Sequence, residues 1–351
     1  MISAPAGGQG RRVARSRHDA CSVVWDDAQG STLGTAPLAR FWVALEQNGP
    51  WGARAATQSH LDPDLGEALD RGCRDAGGRL MLIRRPGSHP DLLGGNAELA
   101  DNRRVYLAGA LAGRPWLLEA DLDDPVWLRR LTPPVMKALA EGDLSTVQNA
   151  LPGAELSPGP VLMICTNARR DICCSVRGRP VALESGSQRA GVVWECSHIG
   201  GHRFAPTGVL LPHGQTFGRL TSATAIAIVD AARGGQFPAE LMGERYDRGR
   251  NSLVGAGQAA ESTVRQQIQE PGLTALSTTA TPRPDQENAW QCRVSHIDGR
   301  HWDVAVERRS GGGDLPQSCG KEPVPAWHWT VTGHVSQKLT RSVSPEAISD
   351  V

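Results

Sequence analysis

One element order, β-α-β-β-β-α, can be read twice along this chain, once on each side of the Pro- and Gly-rich stretch "LPGAELSPGP" (Leu151 to Pro160). The first copy begins with the apolar run "RFWVALEQ" (Arg40 to Gln47) and the loop "NGPWG". Asp62-Pro63 then opens a helix with Leu65, Ala68, Leu69, Cys73 and Ala76 at helical spacing and Gly77-Gly78 as its stop. "RLMLIRR" (Arg79 to Arg85) is the next strand, and "RVYLAGAL" and "RPWLLEADL" meet at Ala112-Gly113 as a hairpin. Helical material from Pro134 to Asn149 closes the unit. The second copy runs through the strand "VLMIC" (Val161 to Cys165) and a helix capped by Asp171 that carries Cys173 and Cys174 and is limited by Gly178 and Pro180. The strand "GVVWE" (Gly191 to Glu195), a hairpin turning at His213-Gly214 and a helix from Ser222 to Gly235 complete it. The likeness rests on element order alone, because no motif of the second copy recurs in the first.

These signals divide the chain into six parts. Residues 1–18 form a basic tail without an apolar h-region, expected to be disordered and not a secretory signal. An α/β domain over 19–150, a linker over 151–157 and a second α/β domain over 158–235 follow. Residues 236–285 are an extension with a helix (Ala256 to Glu270) and the loop-like "GLTALSTTATPRPDQEN". Residues 286–351 are a β appendage and tail, with a hairpin on Asp298-Gly299 and a strand from Ala326 to Val335.

Charge and cysteine usage narrow the function. Lys+Arg and Asp+Glu both number 37, so no basic field favours nucleic acid or an anionic membrane as partner. No run reaches the roughly 18 apolar residues of a membrane span, and a cytoplasmic location is expected. Eight cysteines in such a chain read as thiols or metal ligands rather than disulfides. Four of them (Cys165, Cys173, Cys174 and Cys196) fall within one short region just before a histidine pair, where a disulfide framework would spread along the chain.

That region holds the candidate site. Cys165 and Cys174 stand as C-x8-C, and His198 and His202 as H-x3-H, each pair after a predicted strand end where α/β proteins place chemistry. Gly200-Gly201 between the histidines favours a tight loop over a helix. Two thiolates and two imidazoles suit a tetrahedral zinc ion or a [2Fe–2S] cluster. C-x8-C fits a zinc finger poorly, and "CSH" (Cys196 to His198) mimics one half of a Rieske motif for which the chain has no second half. A thioredoxin-type C-x-x-C is absent. Of the adjacent Cys173 and Cys174, one is expected to face the site. Cys196 reads as a buried small side chain, and Cys21, Cys73, Cys292 and Cys319 as structural or incidental.

"CTNARRDICC", "ECSHIGGHRFAPTGVLLPHGQTFGRL" and "RYDRGR…QAAE…VR" resemble the sucrase/ferredoxin-like family, as do "GTAPLARFWVALEQNGPWG", "LMLIRRPG" and "SCGKEP". The resemblance implies a thioredoxin-like ferredoxin domain within the α/β architecture; the repeated element order reads the preceding α/β domain as a degenerate thioredoxin-like unit. The resemblance also implies, for the branch with C-x8-C and H-x-G-G-H, a bis-histidinyl [2Fe–2S] cluster on Cys165, Cys174, His198 and His202. Neutral imidazole in place of thiolate raises a cluster's potential, and an imidazole with a free second nitrogen can take up a proton with the electron. The expectation is an electron-transfer protein serving an unidentified redox partner protein. A structural Cys2His2 zinc module, or a thiol oxidoreductase using Cys173, Cys174 or Cys196, is the alternative. No carboxylate pair stands in a motif suited to glycoside hydrolysis. The arginines flanking the motifs, Arg169, Arg170, Arg177, Arg179 and Arg203, are read as steering an acidic partner or as a solvated face.

Overall fold

A computed structural model describes residues 20–87, 102–109, 111, 113–333 and 336–339. The basic tail (1–18) and Ala112 of the first hairpin lie outside the described residues, as do the chain's last residues.

The first unit forms as its sequence directs. Strand β1 (Trp42–Glu46) is buried along its whole length. After the short N-terminal helix α1 (Cys21–Asp27), the next helix is α2 (Pro63–Asp75), whose cap Asp62 accepts a bond from the Leu65 amide at 2.7 Å. Strands β2 (Arg79–Arg84), β3 (Arg103–Gly109) and β4 (Trp116–Leu122) complete a sheet in the order β2-β1-β3-β4, with β1 parallel to β2 and antiparallel to β3. The helical closure is two helices, α3 (Pro133–Glu141) and α4 (Leu144–Ala150). Gly142 ends α3 at φ +84°, and Asp143 caps α4. The expected linker contributes an edge strand, β5 (Glu155–Leu156), paired with β4.

The second unit repeats the topology. Strand β6 (Val161–Cys165) runs parallel to β7 (Val193–Cys196), and β8 (Gly208–Leu211) and β9 (Gln215–Phe217) add antiparallel in the order β7-β6-β8-β9. Between β6 and β7 lies α5 (Ile172–Gln188), and α6 (Ser222–Arg233) follows β9. Gly178 and Pro180 do not limit α5, which runs for 17 residues. Pro180 is exposed, and the Val176 carbonyl that loses its i+4 donor is on an exposed residue, where water can serve it. The shared topology supports the reading of the halves as two versions of one fold.

The two units share a single ten-stranded sheet. Its joint is a short antiparallel pairing of β2 with β7, Ile83 opposite Cys196 and Arg84 opposite Glu195. One apolar layer crosses the joint, bringing Trp42, Met81 and Ile83 of the first unit against Met163, Trp194 and Val209 of the second. Cys165, Cys174 and Cys196 lie in that same layer.

The extension is more ordered than its sequence suggests. Strand β10 (Asp247–Arg250) joins the large sheet beside β9, and α7 (Gly255–Ile268) packs on a second sheet. The stretch read as loop contains β11 (Leu276–Pro282), which pairs with β12 (Ala289–His296) in register with no insertion. Only Leu276 of β11 is fully buried, so the burial that would have marked it as a strand is missing from its sequence. Strands β13 (Arg300–Leu315), β14 (Val324–Val331) and β15 (Ser336–Leu339) complete the appendage. No helix among the described residues is long and apolar enough to cross a membrane.

At the β8–β9 turn, burial and the nearby Arg250 and Arg265 push the His213 imidazole down from 6.5 to about 4. The unfolded chain then binds a proton that the fold resists. His213 should therefore cost stability as pH falls from 6.5 to 4, by on the order of 3 kcal/mol. Urea titrations of wild type and His213→Gln at pH 7 and pH 4.5 test this: the gap between them should shift in the variant's favour at the lower pH. An unchanged gap would show that the imidazole is hydrated in the fold.

Candidate metal centre

The four predicted site residues lie at or beyond the C-terminal ends of two neighbouring parallel strands. Cys165 is the last residue of β6, opposite Cys196 at the end of β7, and the histidine loop leaves β7 directly. Cys174 sits in the first turn of α5, one helical turn before Gly178. A side chain at Gly178 would place its Cβ 2.3 Å from the Cys165 carbonyl oxygen, so the glycine lets α5 close on β6. The face that makes this contact is the face that carries Cys174, four residues earlier.

The Gly-Gly pair shapes the other half. Gly200 and Gly201 have φ values of +96° and +74°, and a single 3-10 turn, His202–Phe204, follows. Beneath this loop lies the fully buried Arg248 of β10. Its Nη1 donates to the Gly200 carbonyl at 2.9 Å, its Nε to Thr35 Oγ1 at 3.1 Å, and its Nη2 to the Thr35 carbonyl. The loop brings the two imidazoles near one another, with ring centroids 5.9 Å apart and planes at 29°.

The thiols and imidazoles are electrostatically coupled. Hydrogen bonding to Cys174 holds the Cys165 thiol well below the ordinary thiol range, with a further contribution from His198. The same contact with Cys165, together with burial, holds Cys174 well above it. The pair thus gives up one proton readily and the second reluctantly. Burial lowers His202, while Asp171 pulls the other way, its Oδ2 lying 3.7 Å from His202 Nε2. His198 Nδ1 and His202 Nδ1 are both buried without a hydrogen-bond partner. Burial also brings Arg248 down to about 9 and Arg203 to about 10. The charges that offset the burial of Arg248 include Cys165 and Cys174. Buried cations, coupled thiols and orphaned imidazole nitrogens in one place suit a thiolate-bound metal group.

The adjacent cysteines part company. Cys174 meets Cys165, whereas Cys173 turns to Cys21 and Cys319, with Sγ–Sγ distances of 3.6 and 3.2 Å. Cys21 and Cys319, read as incidental, lie 3.6 Å apart. Asp171 joins them, its carboxylate accepting from the Cys173 amide at 2.9 Å, the Cys319 amide at 2.9 Å and Ser318 Oγ at 2.8 Å. Residues nearly 300 positions apart carry no local signal of this meeting. Nor does α1 keep to the first unit: it packs on the 3-10 turn of the histidine loop, with the Trp25 and Phe204 rings 5.2 Å apart. Cys196 is fully buried, and burial raises its thiol.

The flanking arginines divide. Arg177 pairs with Asp26 at 2.7 Å, and Arg203 lies over the Trp25 and Phe204 rings at 5.0 and 4.6 Å. Arg170 lines a cleft of about 740 Å³ that also touches His198, Ser197 and Asn167 of the second unit and Arg54 of the first.

Residues 100–242, which contain all four predicted ligands, match the sucrase/ferredoxin-like family model. Over that span the chain is similar to the sucrase/ferredoxin-like family. The sucrase/ferredoxin-like region thus covers the end of the first unit and the whole second unit. The resembling segments at 34–52, 80–87, 245–265 and 318–323 fall outside it. Neither the curated proteins nor the solved structures compared gave a match. The chain is thus similar to a ferredoxin-like family over part of its length and holds a cysteine-rich potential metal site; the kind of metal group is a matter of proposal.

Proposed function

We propose that the chain is an electron-transfer protein in which the Cys165 and Cys174 thiolates and the His198 and His202 imidazoles hold a [2Fe–2S] cluster. The observation that carries this reading is the meeting of two coupled thiols with two imidazoles whose Nδ1 atoms are buried and lack a partner. Spacing supports a cluster over a single zinc ion. Tetrahedral zinc needs ligand atoms within about 3.3–3.8 Å of one another. Among the described residues, no three of these four bring ligand atoms within 4.8 Å. A binuclear group needs its ligands spread over two metal ions and not gathered about one point.

When bound, the cluster would supply one-electron transfer at a potential raised by its neutral ligands. The chain's own residues set the conditions. Cys165 and Cys174 are 0% and 1% exposed, so the sulfur side is dry. His198 reaches the cleft beside Arg170 and Arg54, which supports this side as the place of electron exchange with a redox partner. His202 would offer its unpartnered Nδ1 to the cluster, which would leave Nε2 facing Asp171 Oδ2 at 3.7 Å, a contact that would orient the ring and favour a proton on Nε2. The guanidinium of Arg248 under the loop favours added negative charge.

Anaerobic purification, visible absorption and EPR after dithionite reduction test the reading. The wild type should be brown and give a rhombic signal in the reduced state. His202→Cys should keep the colour, shift the signal toward all-thiolate values and lower the potential by on the order of 100 mV or more. A colourless protein holding zinc on these four residues after iron-replete expression would overturn the proposal.

A further inference from the structure

We propose that Cys21, Cys173 and Cys319, with the Asp171 carboxylate, form a second, mononuclear site for a thiophilic divalent ion of the zinc class. The three sulfur atoms lie 3.2 to 3.6 Å apart, and an Asp171 oxygen lies 3.9 Å from Cys21 Sγ. A tetrahedral zinc–thiolate centre has Zn–S distances of about 2.3 Å and therefore S···S edges of about 3.8 Å. The observed triangle needs to open by only a few tenths of an ångström. All four ligand atoms fall within 4.8 Å of one another, the only such group of three or more among the described residues. This tight set suits one ion, in contrast to the wider spread of the ligands at the first centre.

The surroundings support ligation over accident. Three thiols converge from α1, α5 and the turn after β13, and thiols make poor hydrogen-bond partners for one another. Cys21 and Cys173 are fully buried, whereas Cys319 is half-buried and gives an ion a way in. The carboxylate is fixed by the Cys173 amide, the Cys319 amide and Ser318 Oγ, which use three of its roughly four acceptor positions and leave one for a metal. Arg203 carries its guanidinium beside Cys21, so the extra negative charge of three thiolates has a neighbouring cation. Bound metal would clamp the N-terminal helix and the C-terminal sheet onto α5. Asp171 would then serve both centres, since its other oxygen lies 3.7 Å from His202 Nε2.

Zinc alone is the probe, used on the full chain. After zinc-replete expression the wild type should retain one zinc per chain by elemental analysis, and Cys21→Ser and Cys319→Ser should lose it while keeping iron and visible colour. Should either variant fail to fold, cobalt(II) exchanged into the wild type gives the second measurement: thiolate-to-cobalt charge transfer and tetrahedral ligand-field bands are expected. Wild-type protein that retains neither metal, or a Cys173–Cys319 disulfide in peptide maps of anaerobically purified protein, would overturn the inference. Zinc lost in Cys165→Ser but kept in Cys319→Ser would place the ion at the first centre, which overturns this inference and the cluster reading together. Zinc lost in Cys319→Ser from a protein without iron would overturn only the cluster reading.

Discussion

Arg84→Ala is expected to cost about 3–5 kcal/mol of stability, because it leaves a carboxylate buried without its cation at the joint of the two units. Arg84 Nη2 and Nε lie 2.7 and 2.9 Å from Glu195 Oε2, and both side chains are only 3% exposed. The guanidinium also donates to the Gly49 carbonyl at 3.2 Å and lies 4.2 Å above the Trp51 ring. Thr166 Oγ1 adds a bond to the same carboxylate oxygen at 2.8 Å, which is too little to hold a full charge. Glu195 and Thr166 adjoin Cys196 and Cys165, so the damage reaches the candidate metal centre as well as the sheet. Urea unfolding of Arg84→Ala and of Arg84→Ala/Glu195→Gln checks this. The double variant should recover part of the loss, since it removes the stranded charge. A single-variant cost below about 1 kcal/mol would mean that water reaches the joint.

Gly201→Ala should be the most damaging single methyl in the histidine loop. Its φ of +74° costs an L-residue about 1–2 kcal/mol, and the new Cβ would stand 2.3 Å from Arg248 Nη2. The guanidinium cannot easily yield, since it is fully buried and bonded to Gly200 and Thr35. A total of roughly 2–4 kcal/mol follows, together with loss of metal occupancy as the imidazoles are displaced. Gly200→Ala is the control. Its φ is +96°, and nothing lies within 4 Å of its Cβ, so it should carry the backbone cost alone. Equal losses in thermal unfolding and in iron content would show that Arg248 is not what constrains the loop.

Local signals gave the strands and helices of both units, their common order and the loop nature of the Gly-Gly histidine segment. Apolar runs, caps and breakers act over a few residues, and so they can be read without knowing the fold. Local reading failed where burial was decided elsewhere. Residues 276–282 form a strand because β12 offers a partner edge, although their side chains are mostly exposed. The helix α5 continues through Pro180 because its opposite face is buried on β6.

The candidate site shows the same division. C-x8-C and H-x3-H marked Cys165, Cys174, His198 and His202, because spacing along the chain limits which side chains can meet. C-x8-C, taken with the family resemblance, favoured Cys174 over the adjacent Cys173. The docking of Gly178 on Cys165 agrees with that choice, by fixing the rotation of α5 about its axis so that Cys174 meets Cys165 and Cys173 turns away. The meeting of Cys21, Cys173 and Cys319 lies further beyond sequence, since it depends on the N-terminal helix and the C-terminal sheet both folding back onto α5. Sequence by itself determined most element types of the two units and the choice of candidate ligands for the first centre, which depend on neighbours along the chain. Tertiary structure alone decided the continuous sheet, the Arg84–Glu195 joint and the three-thiol cluster, which depend on contacts between segments that no local pattern encodes.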